Sequence, residues 1–245
     1  MSKASKVALV TGASGGIGKA VALRLAADGF AVVGHYAGNP AGADALVTEI
    51  LGRGGEAVAV KGDVSEAADV DALYRRTMDT FGRLDAVVHC AGIMPLSPIV
   101  PEGLDVFDRT IRVNLRGSYL IMAHALSHLG EGGRIVAFSS SVIAKSFPGY
   151  GAYIASKAGV DGMVRVLANE LRGRHITVNA IAPGPVATEL FLKGKTEEQI
   201  EHLAHLAPLE RLGEPNDIAG TVAFLVGDDG EWVNGQIVYV NGGFA

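Results

Sequence analysis

Val7-Ala8-Leu9-Val10, followed at once by Thr11-Gly12-Ala13-Ser14-Gly15-Gly16-Ile17-Gly18, is the stretch from which the rest of the chain can be read. The four apolar residues suit a buried strand. After the glycines a pattern of helical period begins at Ile17 and runs through Ala20, Val21, Leu23 and Leu25. Strand, glycine turn and helix in that order make a phosphate cradle. Gly12 permits a tight turn, Gly16 lets the backbone approach a pyrophosphate, and Gly18 lets the helix pack closely on the strand. The N–H groups at the helix start, with the positive end of its dipole, are placed to hold the anion, and Ser14 and Ile17 lie within the same turn. The spacing is G-x-x-x-G-x-G, not the commoner G-x-G-x-x-G.

Similar apolar runs recur at 31–36, 57–60, 84–89, 134–139, 176–182 and 236–240. Most lack clean alternation, as strands buried on both faces do. Helical patterns separate them near 17–28, 41–53, 66–81, 103–129, 151–173 and 215–227, with Asp63 and Ser65 as candidate caps before the third. Alternating strands and helices predict an α/β fold, a single doubly wound parallel sheet with helices on both faces. Ligands of such sheets bind beyond the carboxyl ends of the strands. The glycine turn, Asp63, His89 to Gly92 and Ser139 to Ser141 all follow strands directly, so four segments converge on one crevice.

Composition fits this picture. There are 33 glycines in 245 residues, and 49% of residues are apolar, enough for a substantial core. A net charge of −5 with scattered Lys and Arg argues against nucleic-acid binding. No apolar run reaches the roughly 20 residues that span a bilayer. MSKASK leads straight into the first strand, which predicts no signal peptide. The one cysteine, Cys90, precludes an internal disulfide framework and fits a reducing cytoplasmic setting.

Tyr153 and Lys157, four apart in Y-I-A-S-K, share one face of a predicted helix. An ammonium beside a phenol favours phenolate, predicting a tyrosine pKa below its usual value of roughly 10 and a group able to give or take a proton.

With these residues in view, the chain resembles the short-chain dehydrogenase/reductase family in its single-domain form, over nearly its whole length. Thr11, Gly12, Gly16 and Gly18 match the family's glycine turn; Asp63 and Val64 match the adenine contact. Asn114 matches an asparagine that supports a water-linked proton relay. Tyr153 and Lys157 match Y-x-x-x-K, and Pro183, Gly184, Val186 and Thr188 match the segment at the nicotinamide end. The family also carries a serine after the fifth strand that polarises the substrate oxygen. Ser140, 13 positions before Tyr153, is the better match, with Ser141 as the alternative. Where the family usually shows N-N-A-G, this chain has His89, Cys90, Ala91 and Gly92. His89 can replace an asparagine as donor or acceptor and Cys90 does so poorly.

The resemblance implies hydride transfer between a nicotinamide cofactor and a carbonyl or carbinol carbon, with Tyr153 as general acid or base. Lys157 tunes the phenol and holds the cofactor ribose. The second strand ends His35, Tyr36, Ala37, Gly38, Asn39 without the carboxylate that binds both ribose hydroxyls in NAD sites, which favours NADP(H) over NAD(H). His35 and Asn39 are candidate donors to a 2′-phosphate, with Lys19 a turn beyond Gly15. A regulatory family member that binds cofactor without catalysis is the alternative, and the intact Asn, Ser, Tyr and Lys set argues against it. An epimerase or dehydratase on a similar fold would ordinarily need a longer chain.

His124 and His128 have the spacing of a metal pair, but H-E-x-x-H is not met and no third ligand is evident, so no metal is expected. Residues 187–208 correspond to a mobile substrate lid in relatives; its Leu190, Phe191, Leu192, Lys193 and Lys195 suit an apolar carbonyl, a polyol or a carrier-bound acyl chain. The resemblance and the apolar helices at 103–129 and 151–173 imply a homotetramer, with NGGFA at 241–245 expected at a subunit contact.

Overall fold

The seven apolar runs form seven parallel strands of one sheet, ordered β3-β2-β1-β4-β5-β6-β7. They are β1 (Val7–Thr11), β2 (Ala31–Tyr36), β3 (Ala57–Lys61), β4 (Ala86–His89), β5 (Arg134–Phe138), β6 (Thr177–Pro183) and β7 (Ile237–Val240). The connecting helices are α1 (Gly16–Ala27), α2 (Pro40–Gly52), α3 (Ala67–Phe81), α4 (Leu104–Thr110), α5 (Gly117–His128), α6 (Gly151–Glu170), α7 (Glu189–Leu192), α8 (Glu197–His205) and α9 (Pro215–Val226). This computed structural model describes residues 6–245; the first five residues of MSKASK, on which the reading of the N-terminus rests, lie outside the described residues.

Side chains alternate across each strand. Leu9, Val87, Ile135 and Val178 face a core completed by α3, α5 and α6, through Tyr74, Ile121 and Val164. Ala8, Val10, Val32, Val88 and Val136 face a second core under α1, α2 and α9, through Leu25, Leu46 and Val222. Both faces are therefore dry, which explains why the runs do not alternate in polarity.

The strand order reverses direction between β1 and β4, where Thr11 lies opposite His89. That switch point is where a crevice opens in a doubly wound sheet.

Two local expectations change. The predicted helix over 103–129 is interrupted: α4 runs into a π-helical segment at Ile111–Arg116, and α5 follows. Widened turns of this kind are concentrated at functional positions, and this one carries Asn114. Asp63 does not cap α3. Its Oδ1 accepts from the N–H and hydroxyl of Ser65 at 2.8 and 2.7 Å, closing a local turn, and the cap residue Glu66 makes no side-chain capping bond. Phe244 is buried against its own chain.

Candidate active site

Both backbone conformation and space require the glycine turn: Gly12 and Gly16 have φ of +66° and +52°. A β-carbon on Gly18 would stand 2.2 Å from the Gly12 carbonyl oxygen, and one on Gly12 would meet Ala91 at 3.0 Å. The turn is thus pressed against both its own helix and the β4 loop. The cap residue Gly15 offers the α1 N-terminus no side-chain hydrogen bond, and the first turn of the helix carries no acidic residue. Its N–H groups remain available to an anion. Thr188 faces this turn across the crevice, its methyl 3.4 Å from where a Gly16 β-carbon would lie.

The Thr11 hydroxyl joins β1 to β4: it accepts from the Ala91 N–H at 3.1 Å and shares a 2.8 Å hydrogen bond with His89 Nδ1. His89 thus keeps the strand end tied where relatives use asparagine. Burial, with Lys157 and His35 adding to it, lowers the His89 pKa to about 3, so the ring is neutral. Cys90 lines the crevice, and burial pushes its thiol up, away from thiolate.

Gly92 lies against Asn114 and Lys157 together, with the Asn114 oxygen 3.3 Å and the Lys157 nitrogen 3.6 Å from its would-be β-carbon. The Asn114 amide is fully buried and grips the Ile93 backbone, accepting from its N–H and donating to its carbonyl, both at 2.9 Å. It also donates to Ser156 Oγ at 3.2 Å.

The three serines after β5 separate cleanly. Ser139 is buried beside Asp161 of α6, where burial raises the Asp161 carboxyl against the pull of the Ser139 hydroxyl. Ser141 is fully buried, donating to the Ala182 carbonyl at 2.8 Å and accepting from Asn241 Nδ2 at 3.0 Å. Ser140, between them, opens onto the crevice that Tyr153 also lines, and its hydroxyl opposes the rise of the Tyr153 phenol. Ser140 thus shares the crevice with the tyrosine, while the Ser141 hydroxyl is spent on Ala182 and Asn241.

Tyr153 and Lys157 share a face of α6 as the spacing predicts, yet the electrostatic expectation is overturned. Burial raises Tyr153 to about 12; Ser140 opposes this and Tyr150 adds to it. Lys157 Nζ donates to the Phe138 carbonyl at 2.8 Å and lies 5.8 Å from the centre of the Tyr153 ring. Desolvation lowers its own pKa to about 8, against the opposing pull of Cys90 and Asp161. Loss of water thus outweighs the neighbouring ammonium.

Those features coincide with a family model described as enoyl-(acyl carrier protein) reductase, which matches residues 12–245. The chain belongs to the short-chain dehydrogenase/reductase family, and it is an oxidoreductase. A short-chain type dehydrogenase/reductase of Picea abies is 45% identical, the match covering 97% of this chain and 92% of that protein. The NADPH-dependent aldehyde reductase-like protein, chloroplastic, of Arabidopsis thaliana is 42% identical over 98% of this chain and 94% of its own. A solved short-chain dehydrogenase from Burkholderia cenocepacia, in complex with NADP, superposes with a TM-score of 0.92 at 36% identity, covering 98% of this chain and 97% of that one.

On this dehydrogenase/reductase scaffold, Pro183 ends β6, Gly184 donates its N–H to the Val240 carbonyl at 3.0 Å, and Val186 is buried beneath the crevice wall. Val64 is buried against Gly117, and Asp63 stands above it with its carboxyl lowered: burial alone would raise it, but Ser65 and Arg112 prevail. At the end of β2 the assignment of His35 is revised. The ring is buried, accepts at Nδ1 from the Gly12 N–H at 3.3 Å, and bonds through Nε2 to the Gly62 carbonyl at 3.0 Å. It shapes the glycine turn and has no hydrogen left for a ligand. Tyr36 is partly buried beside it, accepting from the Gly62 N–H at 3.0 Å. Asn39 caps α2, accepting from Gly42 N–H at 3.0 Å and donating to the Ser14 carbonyl at 3.3 Å. Lys19 is engaged by Glu49 of α2 at 3.3 Å.

Residues absent from the sequence reading complete the pocket: Met94, Phe147, Tyr150, Leu203 and Phe244 line it with Ile17, Leu190 and Phe191. Tyr-x-x-Tyr at 150–153 was a usable signal, since residues three apart share a helix face. His124 and His128 pack against Tyr74, ring centres 5.6 and 5.0 Å away. No cluster of potential metal ligands occurs among the described residues. No helix among them is long and apolar enough to cross a membrane.

Proposed function

We propose that the protein is an NADP(H)-dependent reductase of apolar aldehydes or ketones, with Tyr153 as the proton donor. The observation that carries this reading is a single cleft lined by Ser140, Tyr153 and Lys157 together.

The residues present fit a phosphorylated dinucleotide. The α1 N-terminus is uncapped by side chains, and Gly18 and Gly12 allow close backbone approach. No carboxylate ends β2, so nothing there repels a 2′-phosphate. Gly12, Ser14, Gly16, Ile17 and Gly18 would hold the pyrophosphate side; Tyr36 and Asn39 the adenosine phosphate; Asp63 and Val64 the adenine. Ala91, Gly92, Pro183, Gly184, Val186 and Thr188 would hold the nicotinamide side. When bound, such a cofactor supplies a hydride.

Side chains do the rest. Ser140 donates to the substrate oxygen and fixes its place beside the phenol. Tyr153, held at about 12 by burial, keeps its proton at neutral pH and can hand it to an oxygen that gains negative charge. Lys157 stabilises the phenolate left behind and orders the ribose, and Asn114 holds the Ile93 backbone against the site while supporting proton return from solvent. Residues 187–208 close over the substrate, with Leu190, Phe191 and Leu203 supplying apolar wall.

Exposed Tyr119 and Val166 on α5 and α6 support a homotetramer, and the unpaired Cys90 supports a reducing cytoplasmic setting. Light scattering and cell fractionation test these two points. The activity is tested by following NADPH absorbance with aldehydes, ketones and acyl thioesters. Oxidation with an apolar aldehyde is expected; activity with thioesters alone, or better use of NADH, would overturn the reading.

A further inference from the structure

The cleft carries a row of four aromatic rings. Phe244 lies 6.3 Å from Phe147, Phe147 lies 6.0 Å from Tyr150, and Tyr150 lies 6.4 Å from Tyr153, each pair tilted or edge-on at 60–76°. All four line the pocket that holds Ser140 and Lys157. Three of them come from one stretch at the start of α6. The fourth arrives from residues distant in sequence, through the turn Asn241-Gly242-Gly243-Phe244.

That turn is built. Asn241 donates to Ser141 Oγ at 3.0 Å, its Oδ1 accepts from the Gly243 N–H at 2.9 Å, and its carbonyl accepts from the Phe244 N–H at 3.0 Å. Gly242 and Gly243 have φ of +62° and +87°, and a β-carbon on Gly243 would stand 2.9 Å from Pro208. Phe244 ends only 3% exposed, with the Lys145 ammonium 4.9 Å from its ring centre. Lys145 is exposed and lies over one face of the ring, and an edge of the ring borders the cleft.

We infer that Phe244 is a specificity-determining residue, the far wall of an aromatic box that selects carbonyl substrates carrying a flat ring. The inference rests on the reductase reading and deepens it. Ring pairs at these separations favour edge-to-face or offset contact. A planar substrate whose oxygen meets Ser140 and Tyr153 would run along the row toward Phe244. A short aliphatic aldehyde would not reach it.

The test compares 2-naphthaldehyde with butanal for the full chain and for Phe244→Ala and Phe244→Leu. An aromatic contact is worth about 0.5–1.5 kcal/mol beyond area, so the ratio of kcat/KM for the two aldehydes should fall about two- to twelvefold in both variants. NADPH affinity should stay within about twofold, and butanal should lose less than 2-naphthaldehyde. Phe244→Leu keeps apolar bulk and the turn, so a merely structural role would leave its ratio unchanged. Calorimetry of 2-naphthol with the NADP-containing protein needs no turnover, and its affinity should weaken by a similar factor. If both variants keep the aldehyde ratio and the naphthol affinity, the inference is wrong. Inactivity of the unaltered protein toward both aldehydes would overturn the reductase reading instead, and the naphthol measurement would then decide this inference alone.

Discussion

Lys157 stands 5.8 Å from the centre of the Tyr153 ring and spends a 2.8 Å hydrogen bond on the Phe138 carbonyl. Helical spacing brings the two side chains to one face, but burial decides their protonation. The phenol rises to about 12 and the ammonium falls to about 8, so near neutral pH the tyrosine is firmly an acid and the lysine is the group close to titrating.

Replacing Tyr153 by Phe removes the proton donor and keeps the ring within the aromatic row. Turnover should fall about 10²–10⁴-fold, the usual share of general acid catalysis. NADPH affinity, followed by fluorescence titration, should survive. Lys157→Ala should lose both turnover and affinity. A Tyr153→Phe enzyme that keeps most of its reductase rate would dismiss the assignment.

Ser140 and Ser141 should respond to alanine in different ways. Ser140→Ala should lower kcat/KM at least tenfold with little change in unfolding midpoint. Ser141→Ala leaves the Ala182 carbonyl and the Asn241 amide without a buried partner. It should cost about 1–3 kcal/mol of stability. Denaturant unfolding beside initial rates separates the two, and equal effects from both would contradict the geometry.

What could be read from the sequence was what short stretches encode. The glycine turn, the seven apolar runs and Y-x-x-x-K depend on periodicity and steric need within a few residues, and each appears where its pattern placed it. His35 looked like a phosphate donor because nothing nearby in sequence claims it, yet its partners Gly12 and Gly62 lie 23 and 27 residues away. Ser141 is claimed by Asn241, 100 positions on. Phe244 is likewise placed by packing against Phe147, through a turn whose Gly243 is pressed against Pro208. Desolvation escaped the sequence for the same reason, since the water removed from Tyr153 depends on all its neighbours at once.

The glycine turn yields a paired prediction. Gly18→Ala would force its β-carbon into the Gly12 carbonyl oxygen, whereas Gly15 is extended and has nothing within 4 Å of such a carbon. Gly18→Ala should abolish measurable NADPH binding, and Gly15→Ala should change it less than about threefold, because small changes in open, unstrained positions are usually near neutral. Calorimetric titration of both variants checks this.

Acid sensitivity should trace in part to His89. Its pKa is lowered from 6.5 to about 3, chiefly by burial, so between those values the unfolded chain takes up a proton that the folded chain refuses. Stability from this group is therefore complete above pH 6.5 and lost as the pH falls toward 3. From pH 7 to pH 5 the loss should be about 2 kcal/mol. His35 is shifted in the same direction and adds to the effect. His89→Asn keeps a polar side chain at the Thr11 contact but has nothing to titrate, so its stability should drop less over that interval by about the same 2 kcal/mol. Urea midpoints at both pH values and one protein concentration measure the difference. The same pH dependence in His89→Asn as in the unaltered chain would mean that the buried imidazole is not the acid-labile group.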